Sequence, residues 1–64
     1  MQYNGQIVSL EKGIGLIKFL KERNYNLSQI AVELNGSIVS KQSYEEILLH
    51  DEDVLEVVSF VGGG

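Results

Sequence analysis

Nothing in this chain can staple a fold together, either covalently or through a metal. Its 64 residues contain no cysteine and one histidine, His50, which excludes disulfides, thiolate nucleophiles and zinc sites built from cysteine and histidine. A chain this short lies near the lower limit of what a hydrophobic core can hold unaided. The core must therefore come from aliphatic side chains. Closing it leaves few residues to line an enclosed pocket of enzyme size, so the expectation is one small domain acting as a carrier, a binding module or a subunit.

No stretch approaches the roughly 18 consecutive apolar residues of a membrane helix, and the N-terminal segment lacks the basic and apolar regions of a secretory signal. A cytoplasmic protein with no membrane partner is expected. Charge is unevenly divided. Residues 1–32 hold four basic and two acidic side chains, whereas residues 33–64 hold one basic and seven acidic ones. The acidic half argues against nucleic acid, which requires a basic footprint, and favours a partner with a basic surface, steered by long-range attraction.

Met1 to Leu10 reads as two short strands around Asn4-Gly5, a pair suited to the positive φ values of a tight hairpin. Alternation places Val8 and Leu10 toward a core and Ile7 outward. After Gly13 the period becomes helical. Ile14, Ile17 and Leu20 recur three apart and Leu16 and Leu20 four apart, with Lys18, Lys21 and Glu22 on the wetter side, predicting an amphipathic helix that ends near Arg23-Asn24. Gly13-Ile14-Gly15 stands where Ser, Thr or Asp would normally cap, which predicts a loose and poorly capped start. Gln29 to Asn35 alternates as a half-buried strand, with Ile30, Val32 and Leu34 on one face and Ala31 and Glu33 on the other. Asn35-Gly36 then turns the chain into Ser37–Ser40. Lys41–His50 has room for a single helical turn at Ser43–Glu46, Asp51-Glu52-Asp53 makes a turn, and Val54–Val61 is the most β-prone run. With no proline in the sequence, nothing bars that run from the middle of a sheet.

The order strand, strand, helix, strand, strand, short turn, strand is that of an α+β β-grasp, or ubiquitin-like, fold. A mixed sheet of four to five strands is expected, with one main helix packed on one face. A strand of the first hairpin and the last strand should lie side by side at its centre. The expected division is a domain over 1–61 and a flexible glycine tail over 62–64.

Gly62, Gly63 and Gly64 contribute nothing to a core and have a large unfolded entropy. Their use must lie in what they reach. Three extended residues span about 10 Å, and without β-carbons they can thread a narrow channel and deliver the Gly64 carboxylate to another protein's active site. A carboxylate is a poor acyl donor; adenylation by ATP converts it to a mixed anhydride open to a sulfur or nitrogen nucleophile. The alternative is an inert, frayed terminus.

With Asn4-Gly5, Asn35-Gly36, Asp51-Glu52-Asp53-Val54 and above all Phe60-Val61-Gly62-Gly63-Gly64, the chain resembles the ThiS family, sulfur carrier proteins of thiamine biosynthesis, over its whole length. The Gly13-Ile14-Gly15 segment departs from the family, where Thr or Ser often opens the helix. The resemblance implies a protein co-substrate and not an enzyme, with no bound cofactor and with ATP used by its partner. An E1-like adenylyltransferase of the ThiF type would join AMP to Gly64. A sulfur donor charged by a cysteine desulfurase would then replace AMP to leave a thiocarboxylate, and a thiazole synthase of the ThiG type would take the sulfur. Related carriers feed molybdopterin and other pathways, and ubiquitin-like modifiers use the same adenylate to reach a target lysine. Both stand as alternatives, as does a structural subunit with an inert tail.

Alternation also assigns the surface beside the tail. With Leu55 and Val57 toward the helix, Val54, Glu56, Val58 and Phe60 point to the open face, joined by Ala31 and Glu33. Val58 and Phe60 are then candidate docking groups, Val61 beside the tail is a further partner-binding candidate, and Glu33 and Glu56 are candidates for basic partner residues. A register slip of one would exchange the two sets, and Lys41–His50 is the segment able to cover the face. The three consecutive acids of the turn lack the spaced ligands of a calcium loop and read as a solvated turn. Gly13-Ile14-Gly15 lacks the Lys-Ser/Thr pair of a phosphate loop, and His50 reads as a surface residue. No metal site is expected.

Overall fold

Both Asn-Gly pairs turn the chain as their chemistry requires. Asn4 and Gly5 have φ of 49° and 84°, and Asn35 and Gly36 have φ of 52° and 87°, so both central residues of each turn are left-handed, the type I′ geometry that matches strand twist. The first turn joins β1 (Gln2–Tyr3) to β2 (Gln6–Ile7), and the second joins β4 (Ile30–Leu34) to β5 (Ser37–Val39). This computed structural model describes residues 1–60. The expectations placed on Val61, Gly62, Gly63 and Gly64 lie outside the described residues.

The last strand, β7 (Val54–Ser59), sits at the centre of a five-stranded sheet of order β2-β1-β7-β4-β5. It runs parallel to β1, with Gln2 opposite Val54, and antiparallel to β4, with Val32 opposite Val57. One α-helix, α1 (Leu16–Glu22), supplies Leu16, Phe19 and Leu20 to a core closed by Ile30, Val32, Leu55 and Val57 from the sheet. The mixed sheet, the single main helix and the central last strand match the β-grasp order read from the sequence.

Two local expectations are corrected. The helix begins at Leu16, because Ile14–Gly15 is a short strand, β3, paired antiparallel with Leu48–Leu49, β6. Ile14 thus spends its backbone on Leu49, and the Leu16 N–H donates to the Ile47 carbonyl at 2.9 Å. That bond satisfies one of the donors a helix start leaves free. Gly15 is the N-cap and provides no side-chain cap, as its sequence predicts. Gly13 does not loosen the helix start; it makes room for packing. A β-carbon there would meet Leu48 Cγ and Cδ2 at 3.0 Å and the Leu49 carbonyl at 3.3 Å, whereas one at Gly15 would meet nothing within 4 Å. At its other end α1 closes with Asn24 at φ 65°. Tyr25 N–H donates to the Leu20 carbonyl and Asn24 N–H to that of Lys21, the paired bonds of a Schellman motif.

The second correction concerns Lys41–His50. Its helical turn is a 3₁₀ segment over Lys41–Glu46 that packs against α1, and it buries Tyr44, while β6 buries Leu49. The segment therefore closes the helix side of the core.

The acidic turn is more than solvated. Asp51 Oδ1 accepts from the Met1 ammonium and the Leu10 N–H, each at 3.0 Å, and Met1 itself is buried. Asp53 accepts from the Asn35 side-chain amide at 3.0 Å and from the His50 N–H at 2.8 Å. His50 lies on the surface, with Nδ1 3.7 Å from Asp53. Both carboxyls are held below the ordinary value of 3.8, Asp51 chiefly by the Leu10 N–H and then the Met1 ammonium, Asp53 chiefly by the Asn35 amide.

A carboxyl with a depressed folded-state pKa stabilises the fold above its unfolded-state pKa, and that stability is lost as pH falls through the folded value. Denaturant melts of the parent should therefore weaken from about pH 5 downward, and Asp51→Asn and Asp53→Asn should each be less stable at neutral pH and less pH-dependent below it. Gly13→Ala should cost about 1 kcal/mol from overpacking, a drop in Tm of about 4–8 °C for a domain this size, while Gly15→Ser should match or slightly exceed the parent.

Candidate functional site

Because β7 alternates, the strand that holds the core also presents the opposite face. Leu55 and Val57 are 0% and 5% exposed, and Val58 and Phe60 are 59% and 61% exposed. The anticipated register is therefore the one present. The Lys41–His50 segment lies against the helix and leaves this face open. Across the sheet, Ala31 stands opposite Val58 and Glu33 opposite Glu56, so the candidate docking residues Glu33, Glu56 and Val58 share one surface, with Phe60 following at the end of the strand. Val61 lies outside the described residues.

Two apolar members of the face were not assigned from the sequence as part of this site. Ile38 pairs with Glu33, and Ile7 shares a row with Gln2 and Val54; they are 72% and 79% exposed. The signal for Ile38 was available: a two-residue Asn-Gly turn fixes Leu34 opposite Ser37 and hence Glu33 opposite Ile38. Ile38, Glu33 and Glu56 form one row across three strands. Ala31, small and next to that row, leaves a shallow hollow of about 150 Å³ bounded by Ile38, Val58 and the two glutamates.

What the turn asparagines do beyond turning is the other feature that residue type alone did not disclose. Asn4 Oδ1 accepts from the Val57 N–H at 2.8 Å and its Nδ2 donates to the Val57 carbonyl at 3.2 Å. Its amide thereby continues the β1 ladder one step past the end of that strand. At the other end Asn35 Oδ1 accepts from the Val54 N–H at 2.8 Å. Phe60 N–H donates to the Gln29 carbonyl at 3.1 Å. The strand is held from Val54 through Phe60, the last described residue, so whatever follows Phe60 starts from a fixed point.

Among the described residues no group of three or more His, Cys, Asp or Glu side chains is placed to hold a metal ion. No described helix is long and apolar enough to cross a membrane.

Comparison with known proteins places this geometry. The ThiS family model matches residues 1–64. The chain is 42% identical to the sulfur carrier protein ThiS of Bacillus subtilis, over all of this chain and 98% of that one. A thiazole synthase of Magnetococcus marinus is 36% identical over 61 residues, 95% of this chain but 19% of the synthase. In structure, the crystal structure of the thiamine biosynthesis protein ThiS from Geobacter metallireducens superposes with a TM-score of 0.81 at 23% identity, covering 98% of this chain and 96% of that one. The chain belongs to the ThiS family and has its β-grasp fold.

The two faces of β7 can be distinguished by one substitution on each. Val57→Thr buries a hydroxyl and should cost about 1–3 kcal/mol, whereas Val58→Thr should change stability by no more than about 0.5 kcal/mol. Chemical denaturation of the two variants measures both; equal losses would mean that Val58 is not an open-face residue.

Proposed function

We propose that this chain is a sulfur carrier of thiamine biosynthesis, a co-substrate whose Gly64 carboxyl is adenylated and then converted to a thiocarboxylate. The observation that carries the reading is the run Phe60-Val61-Gly62-Gly63-Gly64, which follows a central strand anchored as far as Phe60 in a chain of the ThiS family. A strand fixed at its end sets where the tail starts. A tail without β-carbons sets what it can enter. In this reading residues 1–61 are the folded unit and 62–64 the tail, with Gly62 and Gly63 threading and Gly64 reacting.

The chemistry divides a difficult substitution into easier ones. A Gly64 carboxylate oxygen attacks the α-phosphate of ATP and pyrophosphate leaves; the acyl adenylate then loses AMP to the terminal sulfur of the donor's persulfide, and a thiol cleaves the resulting acyl disulfide, leaving as a disulfide with the donor's inner sulfur and freeing the thiocarboxylate. The catalytic groups belong to the partners: an E1-like adenylyltransferase, which uses the ATP, a sulfur donor charged by a cysteine desulfurase, and a thiazole synthase that consumes the thiocarboxylate. Support for the synthase comes from the relative in which a segment similar to this chain is part of a thiazole synthase. Glu33, Glu56, Val58, Phe60 and Val61 form the docking surface in this scheme, and its setting is the cytoplasm.

Intact-mass measurement after incubation with ATP, the cognate adenylyltransferase and a sulfur source should show one oxygen replaced by sulfur, and tandem fragmentation should place it on Gly64. Deleting Gly64 should abolish loading and leave the melting temperature unchanged. An unchanged parent mass with a competent enzyme would exclude the carrier role, and slower-migrating protein adducts would indicate a modifier instead.

A further inference from the structure

Glu33 and Glu56 are placed against ordinary electrostatic preference. The Asn35 N–H to Val54 carbonyl and Phe60 N–H to Gln29 carbonyl bonds set the phase of the β4–β7 ladder. Glu33 and Glu56 are then a hydrogen-bonded pair with Cα atoms about 5.5 Å apart, and like charges directly opposite one another disfavour the sheet. Among the described residues the ion pairs involve Met1 with Asp51 and His50 with Asp53; none reaches either glutamate. Both glutamates line the hollow over Ala31, together with Ile38 and Val58.

The hollow is too small for a cofactor. At about 150 Å³ it falls below the roughly 300–1,000 Å³ of small-molecule sites, and its open, apolar walls suit the stem of one long side chain. An occupant must therefore be apolar along its length and cationic at its tip. Arginine meets this better than lysine, because its planar fork of donors can serve two carboxylates at once and its guanidinium is weakly hydrated.

We propose that the hollow receives one arginine side chain of the adenylyltransferase that takes the tail, with its methylenes over Ala31 between Ile38 and Val58 and its guanidinium shared by Glu33 and Glu56. This rests on the carrier reading. The adenylating enzyme fits this role because it must seat a chain of net charge −4 beside ATP, itself anionic, and a cation meeting the paired glutamates supplies the complementary attraction.

ATP–pyrophosphate exchange by the cognate enzyme, with the carrier as varied substrate, tests this. The Glu33→Gln/Glu56→Gln double variant should raise KM by about tenfold or more, leave kcat unchanged, and flatten the dependence of KM on salt. Its melting temperature should equal or exceed that of the parent, since a repulsion has been removed. Ala31→Leu, which fills the hollow and keeps both charges, should raise KM as well. A photo-crosslinker at position 38 should capture an enzyme peptide whose modified site adjoins an arginine. A parental KM at every salt concentration for the double variant, an unaffected Ala31→Leu, or a crosslink to a site with no adjoining arginine would each overturn the proposal while leaving the carrier reading intact. Absence of exchange with the parent chain would overturn both.

Discussion

The pairing of β7 with β1 on one side and β4 on the other is the constraint on which the rest depends. The strand that comes last in the chain is inserted between two that come earlier, so the sheet cannot close until almost the whole sequence is present. Loop-closure entropy has to be overcome before these distant contacts contribute. Two side-chain bonds reduce the ambiguity of that step. Asn4 and Asn35 each bind β7 through a side-chain amide, at Val57 and Val54, so each hairpin turn carries its own register mark for the strand that must arrive later.

Among the described residues one α-helix covers a five-stranded sheet, and the uncovered face follows from that shortage. Alternation then lets a single strand act in two ways. Leu55 and Val57 complete the core, while Glu56, Val58 and Phe60 stand outside it. Substitutions on the outer set are nearly free of folding cost, since surface changes are usually within about 0.5 kcal/mol, so that face can be shaped by a partner without endangering the core. At the cross-strand glutamates the balance goes further. Like charges facing each other cost about 0.2–1 kcal/mol, whereas a hydrogen bond to a charged group contributes about 1.5–3 kcal/mol. One shared cation would more than offset the repulsion.

The elements legible in the sequence were those set by local chemistry. Asn-Gly gave both turns, period two gave β4 and β7 with their faces, and the absence of proline allowed β7 its central place. What could not be read was set by distant partners. Ile14 continues the apolar period of the helix, yet it is removed from α1 by pairing with Leu49, and neither residue alone forms a recognisable strand two residues long. Gly13 looks like a flexible joint and is a close contact, because the side chain that approaches it, Leu48, lies 35 positions on. Tyr44 sits in a 3₁₀ turn whose packing against α1 no periodicity announces. In the candidate site, Glu33, Glu56, Val58 and Phe60 were accessible from alternation. Ile38 needed the hairpin register to be carried one strand further.

The same distinction changes what the acidic half of the chain means. Its formal charge suggests a broad negative surface, but the structure commits part of it. Asp51 is bound to the Met1 ammonium and Leu10, and Asp53 to Asn35 and His50, so these two carboxylates fasten the turn that leads into β7. Glu33 and Glu56 have no such partners among the described residues and lie on the open face. Steering over distance depends on the sum of all charges, whereas recognition at contact depends on the few that are desolvated in the complex. The aspartates would add to the first and the glutamates to both. The acidity of the C-terminal half thus has two separate origins, one in holding the central strand and one in presenting its outer face.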